Sequence, residues 1–225
     1  MAAGIGKRLQ PLTFKTPKPL IRVNGTPMIE SVIDALHKNG ITDITIVTGH
    51  LAYQFGYLTQ KDSNIRLIYN PHYETCNNIS SLYMARDYIE DAIILDGDQI
   101  ISNPAILHKE FTRSGYSAVW CEGDTDEWLM TVDGDNTVTN CSRTGGSHGW
   151  QLFSVSRWTA EDARKLKEQI TTEFQKGNKD IYWDDVPMFC YPDEYDLTVY
   201  PMEYSDIREI DSIEDLNNAN NYKEV

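Results

Sequence analysis

The start of this chain combines glycines with basic side chains in a pattern that suits phosphate binding. Gly4 and Gly6 precede Arg8, and Lys18 follows within a Thr-Pro-Lys-Pro segment. Glycines let backbone N–H groups approach phosphate oxygens closely, and the basic side chains can neutralise a triphosphate. The pattern predicts a cradle for a nucleoside triphosphate, with Arg8 and Lys18 as its catalytic cations.

Two acidic motifs could hold a metal ion against those phosphates. Asp96-Gly97-Asp98 follows an apolar run, and Asp211 precedes the last helical pattern. Ligands of open α/β sheets bind at the carboxyl ends of strands, and Mg²⁺ takes one or two carboxylates plus phosphate oxygens and water. Each motif has a simpler alternative: Asp-Gly also favours a β-turn, and Asp211 could be a helix N-cap.

These motifs depend on alternating strands and helices. Apolar runs at 44–47, 65–69 and 92–95 indicate strands, and residues 29–36 have helical spacing after a predicted cap at Thr26. Later strands are predicted at 117–121, 129–132, 137–139, 150–155 and 197–200, and helices are predicted from Asn78, Thr159 and Asp211. The pattern predicts one α/β domain over 1–225, with a nucleotide-binding first half and an acceptor-binding second half.

Composition limits the possible partners and location. The 225 residues carry a formal net charge of -14 with a pI of about 4.7, which argues against a nucleic-acid or anionic-membrane binder, because both need a basic face. Four scattered cysteines favour reduced thiols in the cytoplasm, and no long apolar run predicts membrane insertion. A phosphate-binding Gly loop normally follows a strand, so we expect a strand ahead of Met1.

Together these motifs resemble the sugar-phosphate nucleotidyltransferase family over nearly the whole chain. The likeness rests on residues 4–20, residues 23–29 and Asp96-Gly97-Asp98. Within the family, the chain is most similar to bacterial CTP:phosphocholine cytidylyltransferases, through residues 70–82, 127–128, 182–184 and 209–212. The resemblance implies a Rossmann-like, GT-A-like fold, a mainly parallel (mixed) sheet sandwiched by helices, in which Asp98 and Asp211 hold a Mg²⁺ cofactor.

The resemblance also implies the substrates, CTP and phosphocholine. It places Asn77, Asn78 and Ser80 near the pyrimidine base. The remaining residues predicted to bind nucleotide are Ala2, Ala3, Gly4, Gly6 and Asp96.

Aromatic residues give a physical reason for a choline acceptor. A quaternary ammonium cannot donate hydrogen bonds and is recognised by aromatic faces, at about 0.5–2 kcal/mol per contact. The predicted acceptor-binding residues are Trp128, Glu127, Tyr182, Trp183 and Asp184. The alternative for each tryptophan is packing in the core.

Three other functions stay open. The acceptor could be a sugar 1-phosphate or an aminoalkyl phosphate or phosphonate. Asp96-Gly97-Asp98 also fits the Asp-x-Asp metal motif of glycosyltransferases, although the cradle over residues 4–18 suits a whole triphosphate. A non-catalytic nucleotide-binding module is the alternative outside enzymes.

Overall fold

The computed structural model describes residues 1–221, and strands and helices alternate in its first half, as predicted. The three strands expected there are confirmed as β3, β4 and β5, and β3 pairs with β4 in parallel. In chain order the elements of this half are β1 (Arg22–Val23), β2 (Thr26–Pro27), α1 (Met28–Lys38), β3 (Ile44–Thr48), α2 (Gly56–Lys61), β4 (Ile65–Tyr69), α3 (Ile79–Ala85), β5 (Ala92–Leu95) and β6 (Gln99–Ile101).

The second half adds strands around one long central strand, β10. The strand order is β11-β7-β10-β8-β9, and the far end of β10 pairs with β5. β7 and β11 are parallel, whereas β10 is antiparallel to its neighbours, so the pairing is mixed. The elements are β7 (Gly115–Cys121), β8 (Leu129–Val132), β9 (Val138–Ser142), β10 (Gly149–Trp158), α4 (Ala160–Lys176), β11 (Thr198–Pro201), β12 (Ile207–Glu209) and α5 (Ile213–Asn221).

Helices cover both faces of this sheet because β10 sends alternate side chains to opposite sides. Val155 belongs to an apolar cluster with Val32 of α1, and Trp158 belongs to another with Leu166 of α4. The sheet therefore lies between helices. The single domain remains a prediction.

Two predicted helix starts had different outcomes. Thr159 is the N-cap of α4, since its hydroxyl accepts the Asp162 N–H. The cap predicted at Thr26 is wrong, because Thr26 pairs with Val23 across the Asn24-Gly25 turn and α1 begins at Met28. Asn24 and Gly25 both have positive φ, the backbone geometry that a tight hairpin turn requires.

The segment before the Gly loop lies between β3 and β5. Ala2 bridges Thr48 in parallel, and the Met1 amino group donates to the Leu95 carbonyl. A cavity of about 630 Å³ separates these two strands, and apolar side chains from α1, β3 and β5 line it. The strand expected ahead of the loop stays a prediction.

Within residues 1–221, no helix combines the length and apolarity needed to cross a membrane.

The close approach of β11 to β7 makes Gly115 a sensitive position. A Cβ there would lie 1.9 Å from the Thr198 carbonyl oxygen. We expect Gly115→Ala to force these strands apart and to lower the free energy of unfolding by about 2–4 kcal/mol. Gly134→Ala is the matched control, because its Cβ would meet nothing within 4 Å. Urea unfolding of both variants checks this, and equal midpoints would contradict it.

Candidate active site

Gly6 shapes the turn that carries the basic residues. Its φ of +67° is left-handed, and a Cβ there would lie 2.9 Å from Thr13 Cγ2 and 3.0 Å from Lys18 Cβ. The Thr13 hydroxyl also donates to the Gly6 carbonyl at 3.0 Å. Glycine meets both conditions without strain, so this position lets Lys18 pack closely against the loop.

The residues ahead of the turn are tied to the sheet. The Ala2 N–H donates to the Val47 carbonyl at 2.8 Å, and the Ala3 carbonyl accepts the His50 N–H at 3.0 Å. The Ala2 N–H is therefore used by the backbone, and the nucleotide contact predicted for Ala2 stays a prediction. Gly4 is exposed with open space beside its Cα, so the surface accessible to a nucleotide begins there. The contact predicted for Ala3 stays a prediction.

The four residues predicted to act on phosphates and metal meet at one point. Lys18 Nζ lies 2.5 Å from Asp98 Oδ2 and 2.7 Å from Asp211 Oδ1. Arg8 Nη2 lies 2.8 Å from the same Asp211 oxygen. Burial acts to lower the pKa of Lys18, but the two carboxylates outweigh it and the pKa lies above its ordinary value. Lys18 thus stays charged beside both acids.

Asp211 does not cap the terminal helix, so its carboxylate remains available to the site. Ser212 performs the capping, because its hydroxyl accepts the Asp215 N–H at 3.1 Å. Asp215 in turn accepts the Ser212 N–H at 2.8 Å and the Asp211 N–H at 3.1 Å. This reciprocal capping box fixes the start of α5. The capping box holds the Asp211 backbone in place, and the Asp211 side chain reaches Lys18 and Arg8.

Two further carboxyl groups crowd the same region. Burial raises the pKa of Asp96 to about 6, and the Asp98 charge acts in the same direction. Burial also raises the pKa of Glu209 to about 7; the hydrogen bond from Gln99 opposes this, and the Asp98, Asp96 and Asp211 charges add to it. Gln99 Nε2 donates to Glu209 Oε1 at 2.9 Å. The Met1 ammonium group lies 3.8 Å from Asp96 and opposes the rise in its pKa, yet the four acids still outnumber this group, Lys18 and Arg8.

The Mg²⁺ implied by the resemblance fits two of these carboxylates. Asp98 Oδ2 and Asp211 Oδ1 both lie within 2.7 Å of Lys18 Nζ, so they converge on one position. Carboxylate oxygens suit Mg²⁺, which completes its shell with phosphate oxygens and water. Residues 1–221 contain no group of three or more His, Cys, Asp or Glu side chains suited to a metal. A metal held here would therefore depend on the substrate for its other ligands.

Trp128, Tyr182 and Phe189 form an aromatic group in the second half of the chain. The Trp128 ring is edge-on to Tyr182 at 5.9 Å and to Phe189 at 5.4 Å. Arg143 lies over the Phe189 ring at 3.7 Å and pairs with Asp185, whose oxygen is 2.7 Å from Arg143 Nε. Tyr182 is 49% exposed. This group offers open aromatic surface and already accommodates one cation.

Trp183 is not part of that open surface. It is 3% exposed and packs in the core against Tyr116 and Trp158. The predicted acceptor wall at Trp183 is therefore not supported by its position, and the core-packing alternative accounts for it. The Trp183 backbone N–H donates to Asn78 Oδ1 at 2.8 Å, which ties this segment to the start of α3.

Asp184 is a buried acid near Asp96. Burial and the charge of Asp96 raise the pKa of Asp184 well above its ordinary value, and a hydrogen bond with Tyr116 opposes this shift. Its contact with an acceptor stays a prediction. Glu127 is exposed beside Trp128, and its contact with an acceptor stays a prediction.

The residues expected near the base divide into two groups. Asn77 and Asn78 are half-buried, and Asn77 Nδ2 donates to the Asp180 carbonyl at 3.1 Å. Ser80 is 1% exposed, and its hydroxyl accepts from Asn70 and donates to the Asn77 carbonyl. Because both functions of the Ser80 hydroxyl are used internally, its side chain does not reach a base. It supports the loop that carries Asn77 and Asn78.

Known proteins resemble this chain in sequence. The nucleotidyl transferase family matches residues 1–117. The chain belongs to that family. It is 38% identical over 219 residues to the 2-aminoethylphosphonate cytidylyltransferase of Lancefieldella rimae, covering 96% of this chain and 88% of the relative. It is 36% identical over 216 residues to the choline-phosphate cytidylyltransferase of Streptococcus pneumoniae, covering 96% and 93%.

A solved structure agrees with the sequence relatives. The CTP:phosphocholine cytidylyltransferase from Streptococcus pneumoniae superposes with a TM-score of 0.91 at 35% identity, covering 97% of this chain and 95% of that one. The inositol-1-phosphate CTP transferase from T. maritima superposes at 0.76 with 19% identity, which supports the fold alone. This chain is therefore a nucleotidyltransferase with the expected fold.

Several residues of this nucleotidyltransferase site escaped the sequence argument. Phe189 joins the aromatic group from a short π-helical turn, Val186–Cys190, which has no sequence signature that we could use. Arg143 comes from the β9–β10 connection, which carries no recognisable motif. Glu209 lies in the 209–212 motif, and its adjacency to Asp211 was the available signal.

The capping box separates a structural role from a catalytic one. We expect Ser212→Ala to lower the free energy of unfolding by about 0.5–2 kcal/mol while keeping kcat near wild type. Asp211→Asn keeps the shape but removes the charge that faces Lys18, so kcat should fall about 10²–10³-fold. Pyrophosphate release and urea unfolding of both variants check this. Equal losses of kcat in the two variants would contradict the assignment.

The raised pKa of Glu209 predicts a pH-dependent stability. The pKa of Glu209 in the folded protein, about 7, exceeds the ordinary value of 4.5, so folding favours the protonated acid. The stability that protonated Glu209 contributes is fully present below about pH 4.5 and is lost as pH rises through 7. Glu209→Gln keeps the acceptor for Gln99 but cannot ionise. We expect it to exceed wild type in stability by roughly 1–3 kcal/mol at pH 8, with little difference near pH 5.

Urea unfolding without Mg²⁺ at both pH values measures this effect. Glu168→Gln, an exposed change on α4, is the matched control and should show no such pH dependence. A Glu209→Gln difference that is equal at pH 5 and pH 8 would contradict the assignment of this pKa.

Proposed function

We propose that this nucleotidyltransferase transfers a cytidylyl group from CTP to phosphocholine, giving CDP-choline and pyrophosphate, with Mg²⁺ as cofactor. The observation that carries the proposal is the meeting of Lys18, Arg8, Asp98 and Asp211 at one point. These are the groups that a triphosphate and a metal ion require, and they come from distant parts of the chain. The cytidylyltransferase relatives support cytidine as the base.

In the proposed reaction, a phosphate oxygen of phosphocholine attacks the α-phosphorus of CTP. A new P–O bond forms as the bond from the α-phosphorus to the bridging oxygen breaks, and pyrophosphate leaves with that electron pair. The attacking phosphate is already ionised near neutral pH, so no general base is needed. Mg²⁺, when held by Asp98 and Asp211, supplies positive charge to the phosphate oxygens.

The chain's own cations have separate roles in this scheme. Lys18 is well buried and stabilises charge at the α-phosphate, whereas Arg8, with its side chain 72% exposed, reaches the leaving pyrophosphate. Positioned charges of this kind contribute to the rate because they need no reorganisation during the reaction. The proposed location is the cytoplasm, on the basis of the four unpaired cysteines.

The aromatic group supports a choline acceptor. Trp128 and Tyr182 present faces that could attract a quaternary ammonium by cation–π interaction. Arg143 covers Phe189 at 3.7 Å and lies farther from the Trp128 ring, at 5.9 Å, so the acceptor would use Tyr182 and the part of Trp128 that Arg143 leaves open. Asp184 follows Tyr182 closely in sequence, and its charge interacts with that of Asp96, which supports an acceptor pocket close to the phosphate site.

A second candidate acceptor is an aminoalkyl phosphonate. The relative at 38% identity carries the name 2-aminoethylphosphonate cytidylyltransferase. A primary ammonium would donate hydrogen bonds to a carboxylate rather than rely on aromatic faces, and exposed Glu127 is the available acid.

Pyrophosphate release with CTP and Mg²⁺ tests the proposal when phosphocholine, phosphoethanolamine, 2-aminoethylphosphonate and a sugar 1-phosphate are supplied in turn. Turnover with phosphocholine that EDTA abolishes is the expected result. Turnover with the phosphonate or a sugar phosphate alone would overturn the choline assignment but keep the reaction class. CTP binding without pyrophosphate release on any acceptor would indicate the non-catalytic module.

Trp128 and Trp183 should respond differently to truncation. We expect Trp128→Ala to raise the KM for phosphocholine about 3–30-fold with little change in the KM for CTP. Trp183→Ala removes core packing and should lower the free energy of unfolding by about 3–5 kcal/mol. Trp120→Ala, which removes a 46% exposed tryptophan outside the site, is the control. Steady-state kinetics and urea unfolding distinguish these outcomes, and equal KM changes for both substrates in Trp128→Ala would contradict an aromatic pocket.

A further inference from the structure

Asp185, which precedes the π-helical turn, is a buried acid to which the proposed reaction gives no role. The residue is 4% exposed. Its Oδ1 accepts from Arg143 Nε at 2.7 Å, and Arg143 Nη2 lies 2.5 Å from the same oxygen. Its Oδ2 accepts the Tyr182 N–H at 2.7 Å. Both oxygens are therefore used, one by a side chain and one by the backbone.

Both partners of Asp185 belong to the aromatic group or contact it. Tyr182 is edge-on to Trp128 at 5.9 Å. Arg143 covers Phe189, and its guanidinium carbon lies 5.9 Å from the centre of the Trp128 ring. One buried carboxylate thus holds the segment that carries Tyr182 and the cation that contacts the other two rings.

The turn from Tyr182 to Asp185 is closed in both directions. The Asp185 N–H donates to the Tyr182 carbonyl at 3.2 Å, and the Asp185 carboxylate accepts the Tyr182 N–H. The Trp183 N–H between them is held separately, by Asn78. Because Tyr182 is 49% exposed, its ring has less packing to hold it than a core residue has, and the backbone turn contributes more to its position.

An aspartate suits this position because both of its partners are donors. An ionised carboxylate only accepts hydrogen bonds, so its two oxygens satisfy Arg143 and Tyr182 at once. An asparagine of the same shape has one oxygen and one NH₂ group, so one of the two donors would face another donor. Hydrogen bonds to an ionised group are also stronger than neutral ones. Asparagine would therefore keep the shape and lose one of the two contacts.

We propose that Asp185 is a positioning residue for the acceptor. It holds Tyr182 in place and keeps Arg143 on Phe189, so that Tyr182 and the open part of Trp128 form the surface that receives the acceptor. This inference rests on the proposed function, because that function assigns the aromatic group to the acceptor. Asp185 acts through the aromatic group alone, so the charges that meet at Lys18 keep their arrangement when it is changed.

Steady-state kinetics of Asp185→Asn test the positioning role, with CTP and the acceptor that supports pyrophosphate release in wild type, which we expect to be phosphocholine. The KM for the acceptor should rise about tenfold, since a hydrogen bond to a charged group is lost. The kcat and the KM for CTP should change little. In a Trp128→Ala background the same substitution should have a much smaller effect on the acceptor KM, because groups that act through a shared surface are non-additive.

Asp162→Asn is the matched control. Asp162, on α4, also pairs with a cation, because one of its oxygens lies 2.7 Å from Lys165 Nζ, and its side chain is 18% exposed. It lies outside the aromatic group, so its loss of charge should leave the acceptor KM at the wild-type value. Urea unfolding shows which variants are folded.

Arg143→Lys decides the question if Asp185→Asn does not fold. The Arg143 side chain is 49% exposed, and lysine keeps a positive charge beside Asp185 but lacks the planar fork that stacks on Phe189. The acceptor KM should then rise about 3–10-fold, again with little change in the KM for CTP.

Four results would overturn the positioning role: an unchanged acceptor KM in the folded variant, an equal rise in both KM values, an equal rise in Asp162→Asn, or a full effect in the Trp128→Ala background. Failure of the proposed function gives a different result, because wild type would then release no pyrophosphate with any acceptor. That outcome would overturn the positioning role as well, whereas the four results above leave the proposed reaction intact.

Discussion

The ammonium group of Lys18, held between Asp98 and Asp211, is the contact on which the rest of the site depends. It joins three segments that are remote in sequence: the Gly loop, the end of β5 and the turn before α5. Each segment has its own support. Gly6 allows the close approach of Lys18, and the Ser212–Asp215 capping box frees the Asp211 side chain. Removing any one support would leave a charge in a partly buried place without its partner.

The balance of charge around that contact explains why the site suits a metal–nucleotide complex. The acids outnumber the basic side chains: Asp96, Asp98, Asp211 and Glu209 against Lys18 and Arg8. Burial and repulsion between these acids raise the pKa values of Asp96 and Glu209. A divalent cation would relieve that repulsion, and a triphosphate alone would increase it. An acidic protein can therefore act on phosphates, provided that its few cations and a metal ion meet them directly.

Sequence reasoning was most successful where local chemistry decides the structure. The short β-branched runs of β3 and β4 and the Thr159 cap have local causes, and the structure confirms them. The Arg8, Lys18, Asp98 and Asp211 side chains were singled out because their type and spacing are specific; the structure brings them together, and their contact with phosphate stays a proposal. Long-range packing places two residues differently from what the sequence suggested. Trp183 lies beside acids in sequence but packs in the core, and the Ser80 hydroxyl is hydrogen-bonded to Asn70 and Asn77. Arg143 and Phe189 come from separate parts of the chain and meet through tertiary packing.

A double-mutant cycle on kcat tests most directly whether Asp98 and Asp211 act as one unit on a shared cation. The cycle compares wild type, Asp98→Asn, Asp211→Asn and the double variant under saturating CTP, Mg²⁺ and acceptor. Groups that act through a common partner are non-additive, so the double variant should be little worse than the poorer single variant. Losses that add on a logarithmic scale would mean that the two carboxylates act independently, and would contradict the account.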